Sequence, residues 1–259
     1  MTNVNKLIGI NLPSGPAYRD ISEFDQFNPF SGIPVSDGLQ ISWFGSGKFG
    51  SPMKNYSNSA FKITVTGSPA VKDSYVQVSD GNYYSLGMPA GSDLAKAKEV
   101  TIITVAANLS SSADAWVLSN YGGNNSESSD SILYRKDMKC ETYGSYNGGL
   151  ASVLNDTSKA GAQGSTLICA AVMKEKSQSN IVYQSATDDL GKTNRDFAVG
   201  SRAINATRNY LIGARHGMSG NGASNVSIVL AYSRALTDGE ILLLSRFIRN
   251  DMGVKFGIW

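Results

Sequence analysis

Between Leu39 and Tyr232 the chain is cut into about a dozen short apolar runs, each bounded by glycine, asparagine, aspartate or serine. A helix needs a longer amphipathic stretch than any of these runs supplies, so the rhythm points to an all-β fold. The candidate strands are Leu39–Phe44, Phe61–Thr66, Ser74–Ser79, Tyr83–Leu86, Val100–Ala107, Ala115–Ser119 and Ser131–Arg135, then Lys139–Tyr143, Leu150–Leu154, Thr166–Met173, Asn180–Gln184, Tyr210–Ala214 and Val226–Tyr232. Phe61–Thr66 alternates apolar and polar residues, which predicts one buried face. Val100–Ala107 is almost continuously apolar, as an inner strand of a sandwich would be. Charged residues make up only 17% of the chain and glycine contributes 27 residues, a balance that suits many turns better than helices. Asp93–Glu99 reads as no more than a helical turn.

One true helix is predicted, after the last strand. Thr237 is a good N-cap and Glu240 three residues later completes a capping box. Asp238 and Glu240 complement the positive end of the helix dipole, and Arg246 and Arg249 the negative end. Ile241, Leu244, Phe247 and Ile248 form an apolar stripe. Gly253 fits the left-handed stop, with Val254 placed for the apolar contact that follows it.

Strand, then YSRALTDGEI (residues 232–241), then a short helix and GVKFGIW (253–259) resembles the ending of concanavalin A-like, LamG-type lectin and glucanase domains. The order YVQVSDGNYYSL (75–86), EVTIITVAAN (99–108) and WVLSNYGG (116–123) is similar to their first half. The resemblance covers roughly residues 39–257. It implies a jelly-roll sandwich of two antiparallel sheets with one short C-terminal helix, a single domain over 39–259. Residues 1–38 have no counterpart in it. Pro13, Pro16, Pro29 and Pro34 break regular structure there. Phe24, Phe27 and Phe30 imply an arm that packs on the domain, attaches it or touches another subunit.

Several chemistries are disfavoured. Glucanases of the resembling fold carry Glu-x-Asp-x-x-Glu on one strand. Here Glu23, Asp25 and Asn28 match only two of the three positions and lie in the proline-broken arm. The chain is therefore read as non-enzymatic. His216 is the one histidine, so a histidine metal cluster cannot form, and no nucleophile elbow surrounds nearby Ser219. Gly45-Ser-Gly-Lys-Phe-Gly50 has the letters of a dinucleotide fingerprint, but Pro52 follows instead of a helix. No cofactor is expected; loop Asp and Asn could hold a structural calcium, although nothing indicates one. A net charge of +2 without a basic run gives nucleic acid no purchase. No apolar stretch is long enough to insert into a membrane, and the N-terminus carries no signal-peptide pattern. Cys140 and Cys169 read as two buried free thiols; a disulfide would require their strands to be neighbours.

Aromatic residues beside loop amides are the remaining signal. Tyr83, Tyr84, Tyr121, Tyr143 and Tyr146 sit near strand ends among Asn and Gly. A pyranose stacks its apolar face on an aromatic ring while amides and guanidinium groups take its hydroxyls. Trp116, Asn120, Tyr121, Tyr146, Asn147 and Arg215 are the candidate ligand-binding residues. Each competes with an ordinary structural role, since Tyr and Trp also favour strands. The resemblance then implies a carbohydrate-recognition module, with a glycan or cell-surface polysaccharide as partner. Bacteriophage tail and virion proteins often resemble this fold and leave the cell by lysis, so a virion location, other virion subunits and homo-oligomers are the expected setting. A structural virion protein and a glycan hydrolase are the alternatives.

Overall fold

The long apolar runs become strands covered on both faces. The computed structural model describes residues 28–89, 91–122, 129–146, 149–162, 164–197, 202, 208–217 and 219–259. These form two antiparallel sheets.

The back sheet contains β1 (Leu39–Phe44), β3 (Ala70–Val71), β4 (Val76–Val78), β6 (Val100–Asn108), β11 (Leu167–Met173), β12 (Ser177–Gln184), β13 (Asp189–Asp196) and β15 (Ser224–Tyr232). Its order is β13-β12-β11-β6-β15-β4-β3, and β1 also pairs with β15. The front sheet contains β2 (Lys62–Thr66), β5 (Tyr83–Gly87), β7 (Ala115–Ser119), β8 (Asp130–Tyr134), β9 (Lys139–Tyr146), β10 (Gly149–Asp156) and β14 (Tyr210–Ile212), in the order β10-β9-β8-β7-β14-β5-β2. A short helix, α1 (Asp93–Lys96), is capped by Ser92. The architecture is thus an antiparallel β-sandwich of the jelly-roll kind.

Two strands went unrecognised in the sequence. β3 is only two residues long, and β13 (DLGKTNRD) is a mostly exposed, polar edge strand. An edge strand with no buried face leaves no apolar alternation to read.

Alternation along β6, β11 and β15 divides their side chains between two cores. Ile102, Val100, Cys169, Ala171, Met173, Val229 and Ala231 face the front sheet, where Val117, Leu118, Ile132, Tyr134 and Cys140 meet them. Ile103, Val105, Ile168, Val172, Ile228, Leu230 and Tyr232 face the other way, into a second core. The register shift between Val226 and Ile228 keeps this division through β15. Gly45 ends β1 against that bulge, where an added Cβ would lie 2.3 Å from the Val226 carbonyl oxygen. Gly45 thus serves a close backbone approach, while Gly47 and Gly50 make room for the Val71 and Tyr56 side chains.

The second core is closed by the C-terminal helix. Thr237 and Glu240 form the predicted capping box, and Arg234 holds the Glu240 carboxylate at 2.7 Å. The helix runs through α2 (Asp238–Arg246), a widened π turn (Phe247–Met252) and α3 (Gly253–Phe256). Leu244, Ile248, Met252 and Phe256 are all buried and recur every fourth residue. The wider turn brings residues four apart nearer to one line, so one stripe stays on the sheet.

Gly253 is not the stop. Its φ is −60°, inside the helix, and the left-handed residue is Gly257 at +63°. The N–H of Ile258 then bonds the Gly253 carbonyl at 3.1 Å, and Ile258 supplies the buried apolar contact while Val254 is 80% exposed. Glycine is needed at 253 because a Cβ there would fall 2.5 Å from the Trp259 ring.

Residues 28–38 lie against the same core. Phe30 and Val35 are buried in it, with Phe30 edge-on to Phe44 at 6.4 Å. The Tyr232 hydroxyl donates to the Val35 carbonyl at 2.9 Å. Phe24, Phe27 and the Glu23–Asp25 acids lie outside the described residues.

Candidate functional site

The outer face of the front sheet carries a cluster of aromatic rings where that of the back sheet is mostly aliphatic. A register shift between Trp116 and Leu118 lets Val117 and Leu118 both join the core while Trp116 points outward. Leu133 is opposite Trp116, and Tyr143 stands one strand further on, paired with Ser131. Tyr121 follows the end of β7. Its N–H bonds the Ser119 hydroxyl at 3.0 Å and its carbonyl accepts from His216 N–H at 3.0 Å. That second bond ties the 213–217 loop to the face and delivers Arg215, whose guanidinium lies 4.9 Å above the Trp116 ring.

The three rings are nearly parallel. Trp116 is 5.6 Å from Tyr121 and 5.2 Å from Tyr143, with interplanar angles of 10° and 25°. Tyr121 and Tyr143 are 6.5 Å apart. In a column the outer rings would be twice as far apart as neighbours, so these rings are tiled into a platform rather than stacked in a pile. Trp116 and Tyr121 are buried and Tyr143 is half-buried, so Tyr143 offers the free ring surface. Hydroxyls of Ser119, Ser131 and Ser129 run beneath in a chain of 2.9 Å contacts.

Polar groups flank the platform. Glu141 alternates with Tyr143 on β9 and takes a 3.0 Å ion pair from Arg135, which also pairs with Asp137. Burial, reinforced by the Glu141 charge and hydrogen bond, pushes the Tyr143 phenol well above its ordinary value. Tyr143 is therefore a protonated donor at neutral pH, and a poor nucleophile. Arg215 Nε has no hydrogen-bond acceptor among the described residues. His216 Nε2 contacts the Asn209 carbonyl at 2.9 Å, which fits a residue that shapes the loop.

The structure therefore gathers Trp116, Tyr121 and Arg215 at one place. Asn120 and Tyr146 are elsewhere. Asn120 is buried and accepts the Asp130 N–H at 2.6 Å. Asp130 is itself held by buried Arg202 and by the Tyr210 hydroxyl, the latter at 3.0 Å. Tyr146 is buried, donates to the Ser177 carbonyl at 2.9 Å and stacks on Phe197 at 3.9 Å. Asn147 lies outside the described residues. Glu141, Arg135 and Leu133 join the site without having been singled out in the sequence. Their signal was period-two alternation on β8 and β9, which puts Leu133, Glu141 and Tyr143 on one face. Among the described residues no group of acidic, histidine or cysteine side chains is suited to a metal, and no helix is long and apolar enough to cross a membrane.

No protein-family model matches the chain, and no curated protein matches it. Solved structures do. The botulinum neurotoxin serotype D binding domain superposes with a TM-score of 0.60 at 12% identity, covering 83% of this chain and 54% of that one. The binding domain of Paraclostridial mosquitocidal protein 1 gives 0.60 at 11%, covering 83% and 53%. Trypanosoma rangeli sialidase in complex with 2,3-difluorosialic acid gives 0.60 at 13%, covering 85% and 34%. The chain thus spans about half the length of the toxin binding domains and a third of the sialidase. At such identities the likeness is one of fold.

Proposed function

We propose that this chain is a non-enzymatic carbohydrate-recognition module that binds a pyranose on the outer face of its front sheet. The observation that carries the reading is the tiled platform of Trp116, Tyr121 and Tyr143 with Arg215 over one edge. An aromatic surface meets the apolar face of a sugar, and charged or phenolic groups at its rim direct the hydroxyls. Tyr143 and Arg135 are donors and Glu141 is an acceptor, with Glu141 two residues before Tyr143 on β9 and bonded by Arg135. Solved structures of similar fold include toxin binding domains and a sialidase bound to a sialic acid derivative, which adds fold-level support. Against a hydrolase, the phenol is protonated and Glu141 is engaged by Arg135.

The finer reading places the module on a bacteriophage tail or virion surface, where repeated copies would raise avidity for host polysaccharide. That placement rests on fold-level analogy, since bacteriophage tail and virion proteins often resemble this fold, and the arm over residues 1–38 would be the attachment segment.

A glycan array on the purified protein tests the binding reading. Binding that is lost in Tyr143→Ala and Arg215→Ala, with melting temperature little changed, is the expected result. Full binding in both variants would place the site elsewhere. No binding to any glycan by the intact protein would leave the sandwich a structural virion scaffold.

A further inference from the structure

The core between the sheets holds two nucleophiles that the proposed binding face does not use. Cys140 on β9 and Cys169 on β11 are both free, fully buried and turned into the same core. Their strands share no ladder, because they belong to different sheets. They are neighbours across the sandwich instead.

Register and cross-sheet bonds fix this. Cys140 pairs with Tyr134 in the front sheet, and Cys169 pairs with Thr104 in the back sheet. The Tyr134 hydroxyl spans the core to Thr104 Oγ1 at 3.2 Å. From the other side, Asn180 pairs with Ala171, two residues beyond Cys169, and its amide donates to the Cys140 carbonyl at 2.7 Å. Gln178 makes a matching bridge to the Thr142 carbonyl at 2.8 Å. Such short side chains can reach backbone of the opposite sheet only where the sheets converge. Cα atoms of β9 and β11 come within 8 Å of each other, against the roughly 10 Å usual between packed sheets. Cys140 and Cys169 lie in the same buried cluster, and the neighbouring Cys169 thiol adds to the burial that pushes the Cys140 thiol up.

We propose that Cys140 and Cys169 are a modification site, closing a disulfide that staples the front sheet to the back sheet. The oxidant is a small disulfide of the oxidised-glutathione class. One cysteine thiolate attacks it, forming a mixed disulfide and releasing one small thiolate. The second cysteine thiolate attacks the protein sulfur of that mixed disulfide and expels the other small thiolate. Two cysteines are oxidised, one small disulfide is reduced to two thiols, and the cysteine protons end on them. Burial holds the Cys140 thiol well above its ordinary range, and both sulfurs are shut off from solvent. The exchange therefore proceeds when the strands open, and the closed fold protects whichever state it encloses.

The test uses the full chain, opened in urea with a mixture of oxidised and reduced glutathione and then returned to native buffer. The expected result is loss of both titratable thiols and a non-reducing peptide map linking the Cys140 and Cys169 peptides. The thermal midpoint should rise by several degrees over the reduced protein, and reductant added in urea should reverse it. Cys169→Ser should keep one titratable thiol and give no linked peptide. Two thiols still titratable, glutathione adducts on both cysteines, a link between chains, or a chain that regains its fold only when reduced would each overturn the proposal.

Discussion

On the back sheet, Ile103, Val105, Ile168, Ile228 and Leu230 face outward and are roofed by Leu236, Ile241, Leu244, Ile248 and Met252. On the front sheet, Trp116, Leu133, Tyr121 and Tyr143 face outward, lying against one another with Arg215 above. Both faces begin as alternate residues of antiparallel strands. They differ in what their side chains can tolerate. Aliphatic chains have no polar group to offer water or a ligand, so that face is satisfied only by another element of the chain. Tyrosine and tryptophan carry a polar tip on an apolar body and can border solvent or a polar partner. The difference separates a face used for stability from one suited to recognition.

Removing residues 236–259 should break the comparison most severely. The whole aliphatic face would be bared, and the truncated protein should be recovered in the insoluble fraction after expression. Soluble, cooperatively melting protein would mean that the helix is an accessory.

Leu244→Ala probes the same roof at one point. Leu244 is fully buried, so the change should cost about 2–5 kcal/mol in urea unfolding while glycan binding by the folded fraction is unaffected. Thr237→Ala, which removes half of the capping box, should cost about 0.5–2 kcal/mol.

The pH dependence sharpens the picture further. Hydrogen bonds from Arg234, then the Thr237 backbone N–H, hold the Glu240 carboxyl down from 4.5 to about 2. A depressed carboxyl stabilises the fold where it is ionised in both states. That contribution is complete above pH 4.5 and is lost as the pH falls towards 2. The melting temperature should fall across that window, and Glu240→Gln should flatten this part of the profile.

The smallest effect on stability is expected on the front face. Tyr143→Ala removes a half-buried cross-strand contact and should cost about 1 kcal/mol or less. Glycan affinity should nevertheless fall about tenfold or more, since a single good ring contact is worth roughly that much. A large stability loss with intact binding would reverse the roles assigned to the two faces.

Much of the back sheet was legible in the residues. The near-continuous run Val100–Ala107 announced an inner strand, Thr166–Met173 another strand, and the Thr237–Glu240 box the helix that follows. The helix end was not legible. Gly253 and Gly257 are equally good stop residues by type; only the left-handed backbone at Gly257 shows which one ends the helix, and the Trp259 ring explains the glycine at 253. The candidate site was legible in part. Trp116, Tyr121 and Arg215 were named by chemical type, and the structure unites them. Asn120 and Tyr146 were named by the same criterion, yet their side chains brace Asp130 and the Ser177 carbonyl.

Local order came from local rules. Apolar spacing, turn residues and caps act over a few positions, so the sequence alone determined an all-β chain with a single capped helix at its end. Which face each strand shows to which neighbour depends on register between segments as distant as Trp116 and Arg215, or Cys140 and Cys169. Slipping a strand by one residue exchanges its two faces while leaving its composition unchanged. Only the tertiary structure could therefore decide that the aromatics form a tiled platform, that the aliphatics lie under the helix, and that two thiols are buried in one core between the sheets.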